Sequence, residues 1–184
     1  MNLFWLSRKL SRNARYHCDQ HVVKIPLEAV QLLYTAWALL TSGESWRASA
    51  PLNKAGTHRG YKVSHPNHPL ARWVRRSEAN YRLCVDYALA LCREYSKRFP
   101  GRTLHAEQHA AWLSKNLPSN LPKRSRTAIP IVRKGHTVWK AKSMKTACKA
   151  YRRAYIEDKL QMARYRHSTI PSWIQKNLEM LKIS

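Results

Sequence analysis

Glycine is scarce in this chain, with five in 184 residues. None forms G-x-G-x-x-G, and none opens a Walker loop before Lys-Ser/Thr, which argues against a Rossmann or P-loop nucleotide site. No G-x-S-x-G elbow occurs, which argues against an α/β-hydrolase. The four cysteines, Cys18, Cys84, Cys92 and Cys148, form no C-x-x-C pair, so a zinc ribbon is not expected. Cys84 and Cys92, on one helix, would lie about 12 Å apart along its axis, too far for a disulfide. Buried thiols in a reducing compartment are the expectation. No apolar run approaches the roughly 20 residues needed to span a bilayer. A secretory apolar segment is also missing, and no membrane partner is expected. The basic, Ser-containing start could mimic a transit peptide, but the next helix continues from it without a boundary.

Acids are the other shortage. There are 10 Asp+Glu against 34 Lys+Arg, a formal charge of +24, and no acid precedes Asp19. A field this positive draws polyanions, and nucleic acid is the expected partner. Seven tryptophans and nine tyrosines accompany the cations, a mixture that suits stacked or extruded bases as well as a core.

Apolar spacing is helical almost throughout, and β-alternation is nearly absent. It predicts one all-α domain over 1–184 with four to five helices and two long loops, 43–68 and 114–137. Helices are expected over 12–40 (bent or interrupted at Pro26), 69–99, 104–113 and 142–165, with a last one opening at Pro171. Asn67 or His68 is the expected cap of the second.

The first helix carries the most chemistry. His17, His21, Lys24, Glu28, Gln31 and Thr35 follow spacings of 4, 3, 4, 3 and 4. At about 100° per residue they share an arc of roughly 80°. Imidazoles, an amine and a carboxylate in one narrow row can exchange protons near neutral pH. The plainer alternative is an i,i+4 Lys24–Glu28 pair with packing histidines.

His65-Pro66-Asn67-His68-Pro69 opens the second helix, close to Arg72, Arg75 and Arg76, as an anion or substrate clamp or as simple helix initiation. Asn80, Tyr87 and Glu94 repeat every seven residues, as a buried seam or a second cleft wall. His105 and His109 have a chelating spacing, but H-E-x-x-H and a third ligand are lacking, so no metal and no cofactor are expected. Lys123, Arg124, Arg126, Arg133 and Lys134 are the expected phosphate contacts of the second loop.

Tyr16-His17-Cys18-Asp19-Gln20-His21-Val22-Val23-Lys24 resembles a Y-H-C-D-K-H-V-V-K segment of short proteins from phages and large DNA viruses. In that group an H-x-N-H-P segment follows, here His65 to Pro69, then W-x-R-x-S-x-x-N-Y, here Trp73 to Tyr81. Y-R-x-x-Y and P-x-W then match Tyr151 to Tyr155 and Pro171-Ser172-Trp173. This likeness spans most of the chain and implies a viral setting, in host cytoplasm or virion, with virion components as further partners.

More distantly, the chain is similar to the phage pyrimidine-dimer DNA glycosylases of the endonuclease V type. Those are small, basic and helical, with a His seven residues before the catalytic Glu, as His21 stands before Glu28, and a P-x-W near the DNA. The likeness implies Glu28 as acid/base, the α-amine of Met1 as nucleophile on the sugar C1′, and Trp173 near DNA. An α-amine titrates near 8, so part of it is neutral at pH 7. Two departures stand out. The start is Met1-Asn2, where a bulky first residue is retained, which leaves Lys24 as a substitute amine if burial lowers its pKa. The 43–68 loop has no counterpart.

The expected function is a DNA glycosylase/AP lyase acting on pyrimidines, with double-stranded DNA, damaged or modified, as the partner this resemblance implies and with Glu28, Met1, Lys24, His21 and His17 catalytic. His65, Asn67, His68 and Asn80 would line the substrate pocket. The alternatives are a non-enzymatic virion or DNA-packaging protein and an enzyme of pyrimidine hypermodification.

Overall fold

The computed structural model describes residues 1–133 and 136–183. It is mostly helical, as the periodicity predicts, but the helices are shorter and more numerous. They are α1 Leu10–Tyr16, α2 Asp19–Leu40, α3 Pro69–Val74, α4 Glu78–Arg98, α5 His105–Lys115, α6 Met144–Lys159 and α7 Ser172–Ile183.

Two expected helices are divided. The first runs on through Pro26 and breaks instead at His17–Cys18, whose backbones are extended. Arg98 explains that break. Its buried guanidinium donates to the carbonyls of Arg15 (3.0 Å) and His17 (2.8 Å), satisfying the C-terminal carbonyls of α1. It also pairs with Asp19 (3.0 Å), in the first turn of α2, and Glu94 (2.7 Å). The second division falls before Ser77, which accepts from the Asn80 amide at 3.1 Å and so caps α4. His68 caps α3 as expected, its Nδ1 accepting from Leu70 at 3.2 Å.

Helix α2 is the central element. It packs on α4, which also meets α1 and α5, around Leu32, Leu33, Cys84 and Leu91, all fully buried. By length and composition α2 could cross a membrane, a point the residue count missed, but 67 % of its most apolar stretch is buried inside the structure. All four cysteines are buried and unpaired.

Within the expected loops there is more order than predicted. A 3₁₀ turn, Ser45–Ser49, and a bridge between Leu52 and Arg59 organise the first. Gly60 has φ +66°, and a Cβ there would stand 2.8 Å from the Tyr34 ring, so glycine is required. Thr35 Oγ1 accepts from the Ser64 amide at 3.0 Å, fastening the loop's end to α2. The second loop ends in a strand: β1, Pro130–Arg133, pairs antiparallel with β2, His136–Lys140.

Removing the Arg98 side chain leaves Glu94 unpaired in the core. Arg98→Ala is expected to lose about 3–5 kcal/mol in urea unfolding. A loss below about 1 kcal/mol would show that the ion cluster does not hold the α1–α2 junction.

Candidate functional site

The site begins with residues 1–7, which the sequence presents only as part of an ordinary basic start. They run extended through the protein. Leu3, Trp5 and Leu6 are fully buried and Phe4 nearly so. Their backbone polar groups find specific partners, as burial demands. Asn13 Oδ1 accepts from Leu6 (2.5 Å) and Ser7 (3.0 Å), and Arg152 donates to the Leu6 carbonyl at 2.7 Å. The Asn2 side chain donates to the Val132 carbonyl on β1 at 2.9 Å.

That path delivers the first two residues to Glu28. The Asn2 backbone N–H donates to Glu28 Oε2 at 2.7 Å, and Lys24 Nζ lies 3.3 Å from Oε1. Met1, Asn2, Lys24 and Glu28 line an open cleft of ≈ 370 Å³, with His21 and Phe4 behind them and Arg133, Asp158 and Lys159 opposite. The Glu28 side chain is 12 % exposed and that of Lys24 71 %, so Lys24 lacks the burial a substitute amine would need.

His21 faces this cleft in a defined tautomer. The Tyr155 hydroxyl accepts from the Cys18 amide (2.8 Å), and among the described residues its own proton has His21 Nδ1 (2.8 Å) as its acceptor. The ring proton of His21 is therefore on Nε2. Phe4 stacks on the ring at 4.7 Å. Burial, then the charges of His17, Lys159 and Lys24, pushes the His21 pKa down to about 3. It is a neutral N–H donor and not a base.

His17 is elsewhere. It is fully buried, with Nδ1 donating to the Asn13 carbonyl (2.8 Å) and Nε2 accepting from Tyr87 (3.0 Å). Burial, with a smaller push from Arg98, lowers its pKa to about 4 against the Asn13 bond. Its role is to hold the α1–α2 turn, so it is set aside as a catalytic group. Thr35, at the far end of the row, is also sealed. The polar row therefore opens to solvent along Lys24, Glu28 and Gln31.

His68 comes close. Its pKa is lowered by burial and then by the Met1 amine and His65, while Glu28 and the Met1 backbone oppose. His65 is exposed, at φ 49°.

Asn67, by contrast, turns into a second cavity of ≈ 690 Å³ with Arg72, Arg75 and Arg76. Asn80 does not line it. Its side chain donates to the Trp73 carbonyl (2.8 Å) and Thr127 Oγ1 (2.8 Å) and accepts from the Thr127 amide (2.9 Å). Asn80 thus tethers the basic loop, a bracket and not a pocket wall.

Among the expected phosphate contacts, Lys123, Arg124 and Arg126 are exposed. Arg133 is not free for phosphate: it forms a fork on Asp158 (2.7 and 3.0 Å) and meets Glu157 at 2.6 Å. Lys134 lies outside the described residues. Trp173 packs edge-on against Tyr16 and Tyr155 with Arg152 over its ring, a layer behind the cleft. Asp158 and Lys159 were missed by sequence reasoning. Their signal was the 4, 3 spacing of Tyr151, Tyr155 and Asp158 along α6. His105 and His109 both point Nε2 at the Leu52 carbonyl, 2.9 and 3.1 Å away. No cluster of three or more His, Cys, Asp or Glu suited to a metal occurs among the described residues.

Comparison with family models, with curated proteins and with solved structures finds no match to this chain.

The buried histidines set a pH response. Their folded pKa values lie below the unfolded value near 6.5, so the unfolded chain binds more protons between about pH 6.5 and 4, and stability falls as pH drops through that window. Each contributes on the order of 3 kcal/mol by its lower end. NMR of the ring protons should show His17 and His21 unprotonated down to pH 5. Titration of either ring near pH 6.5 would contradict the assignment.

Proposed function

We propose that the protein is a DNA-binding enzyme acting on pyrimidine nucleotides, a glycosylase with lyase activity of viral setting. The observation that carries this reading is the 2.7 Å bond from the Asn2 amide to Glu28. It holds the amine of residue 1 in the same cleft as the Glu28 carboxylate, which is 26 positions from Asn2 in sequence. Nucleophile and acid/base within reach of one another are what the chemistry requires.

With the target nucleotide extruded into the cleft, the amine lone pair attacks C1′. The glycosidic C1′–N bond breaks, and the base leaves with its bonding pair and a proton given up by the attacking amine. The bond from C1′ to the ring oxygen then breaks, that oxygen takes the amine's second proton, and an imine forms between the nitrogen and C1′. Glu28 then takes a C2′ proton, the 3′ phosphate departs, and water hydrolyses the imine. The neutral His21 N–H is positioned to donate to an oxygen of the departing base or sugar. The amine of residue 1 is preferred over Lys24, whose Nζ is 3.3 Å from Glu28 but whose side chain is 71 % exposed.

Borohydride reduction should trap a covalent adduct on a duplex carrying a pyrimidine lesion or abasic site. Glu28→Gln should lower cleavage at least about 100-fold while leaving binding intact. Extending the chain before Met1 should abolish trapping, and Lys24→Ala should spare it. No adduct on any lesion would overturn the reading.

The exposed Lys123, Arg124 and Arg126, which form no ion pair among the described residues, favour a second reading, a non-enzymatic protein that neutralises packaged DNA. It expects a log–log salt slope of about −6 to −9 for 7–10 phosphates, and affinity and particle content indifferent to Glu28→Gln. A slope near zero would remove it.

A further inference from the structure

The second cavity is unusual for its charge. Arg72, Arg75 and Arg76 all line it, and no carboxylate does. Arg75 is braced, donating to the Pro66 carbonyl at 2.6 Å, and burial followed by the charge of Arg72 lowers its pKa. Arg72 and Arg76 are exposed and make no ion pair among the described residues. Cations held together without counter-charge repel one another, and an anion relieves that repulsion. The remaining walls are of another kind. Leu40, Pro69 and Pro130 are apolar, and Asn67 and Thr127 add amide and hydroxyl groups. Its volume of ≈ 690 Å³ falls in the range of small-molecule sites, about 300–1,000 Å³.

Position adds a second observation. The cavity and the Glu28 cleft share two walls. Asn67 lines the cavity, while the next residue, His68, senses the Met1 amine and Glu28. On β1, Pro130 lines the cavity and Val132 the cleft. Two strand residues span about 7 Å, the scale of one nucleotide step along a chain.

We propose that this cavity is a nucleotide-binding subsite, with the phosphate on Arg72, Arg75 and Arg76 and the base against the apolar wall. The occupant is one nucleotide unit, free or within a strand beside the nucleotide in the cleft. This rests on the nucleic-acid part of the function above and not on its chemistry.

The test is calorimetric titration of the full chain with thymidine 5′-monophosphate, thymidine, inorganic phosphate and the tetranucleotide (dT)4. The monophosphate or (dT)4 should bind at least tenfold more tightly than thymidine or phosphate alone. Preference for (dT)4 assigns the subsite to a strand, and preference for the monophosphate assigns it to a free nucleotide. The double variant Arg72→Ala/Arg76→Ala, whose side chains are exposed and without ion pairs, should lose at least tenfold. Glu28→Gln should bind as the wild type does. Phosphate binding as tightly as nucleotide, or the double variant binding unchanged, overturns the proposal. So does loss of nucleotide binding in Glu28→Gln, which would place the nucleotide in the cleft. Failure of borohydride trapping with nucleotide binding intact would remove the lyase chemistry and leave this subsite standing.

Discussion

A single hydrogen bond from the Asn2 amide to Glu28 ties the start of the chain to its central helix, and the candidate site depends on it. An unrestrained terminus would be mobile in water. Here burial of Leu3, Trp5 and Leu6 holds the segment, and Asn13, Arg152 and Val132 fix its register. Glu28 is thereby given a neighbour that no local spacing could supply. The cleft is built by packing, and its acid sits where the chain begins.

Electrostatics explains where the acids go. Asp19 and Glu94 serve the buried Arg98, Glu157 and Asp158 serve Arg133, and Glu44 and Glu78 make helical or turn pairs. These pairs consume acids in a chain that has 10. Among the remaining cations, Lys123, Arg124 and Arg126 are exposed on the second loop, and Arg72, Arg75 and Arg76 line one cavity. Glu28 stands out as a mostly buried carboxylate on the cleft wall whose partners are an amide and an exposed lysine. A carboxylate so placed remains approachable.

Much of this was legible in the sequence. Helical spacing gave the helical class, and the 17–35 row pointed to the helix that carries the cleft. His68 as a cap had a local signature, whereas the cap at Ser77 was passed over inside a helix expected to run unbroken over 69–99. What escaped was non-local. Leu3 to Leu6 lack periodicity because an extended segment buried on every side has none to show. The strand Pro130–Arg133 was hidden by Pro130 and Gly135, which read as turn residues. Arg133 looked free because its carboxylates lie on α6, more than twenty positions away. His17 and His21 look equivalent in a helical projection. The break at Cys18 and the hydroxyls of Tyr87 and Tyr155 separate them, sealing one and turning the other to the cleft.

The most direct measurement is hydrogen exchange at the Asn2 amide, read by NMR in the intact protein. The account requires that amide to exchange far more slowly than a free terminal amide, and to lose that protection when Glu28 becomes Ala. Exchange at the random-coil rate in the wild-type chain would show that the terminus is not seated beside Glu28, and the site built on that contact would be wrong.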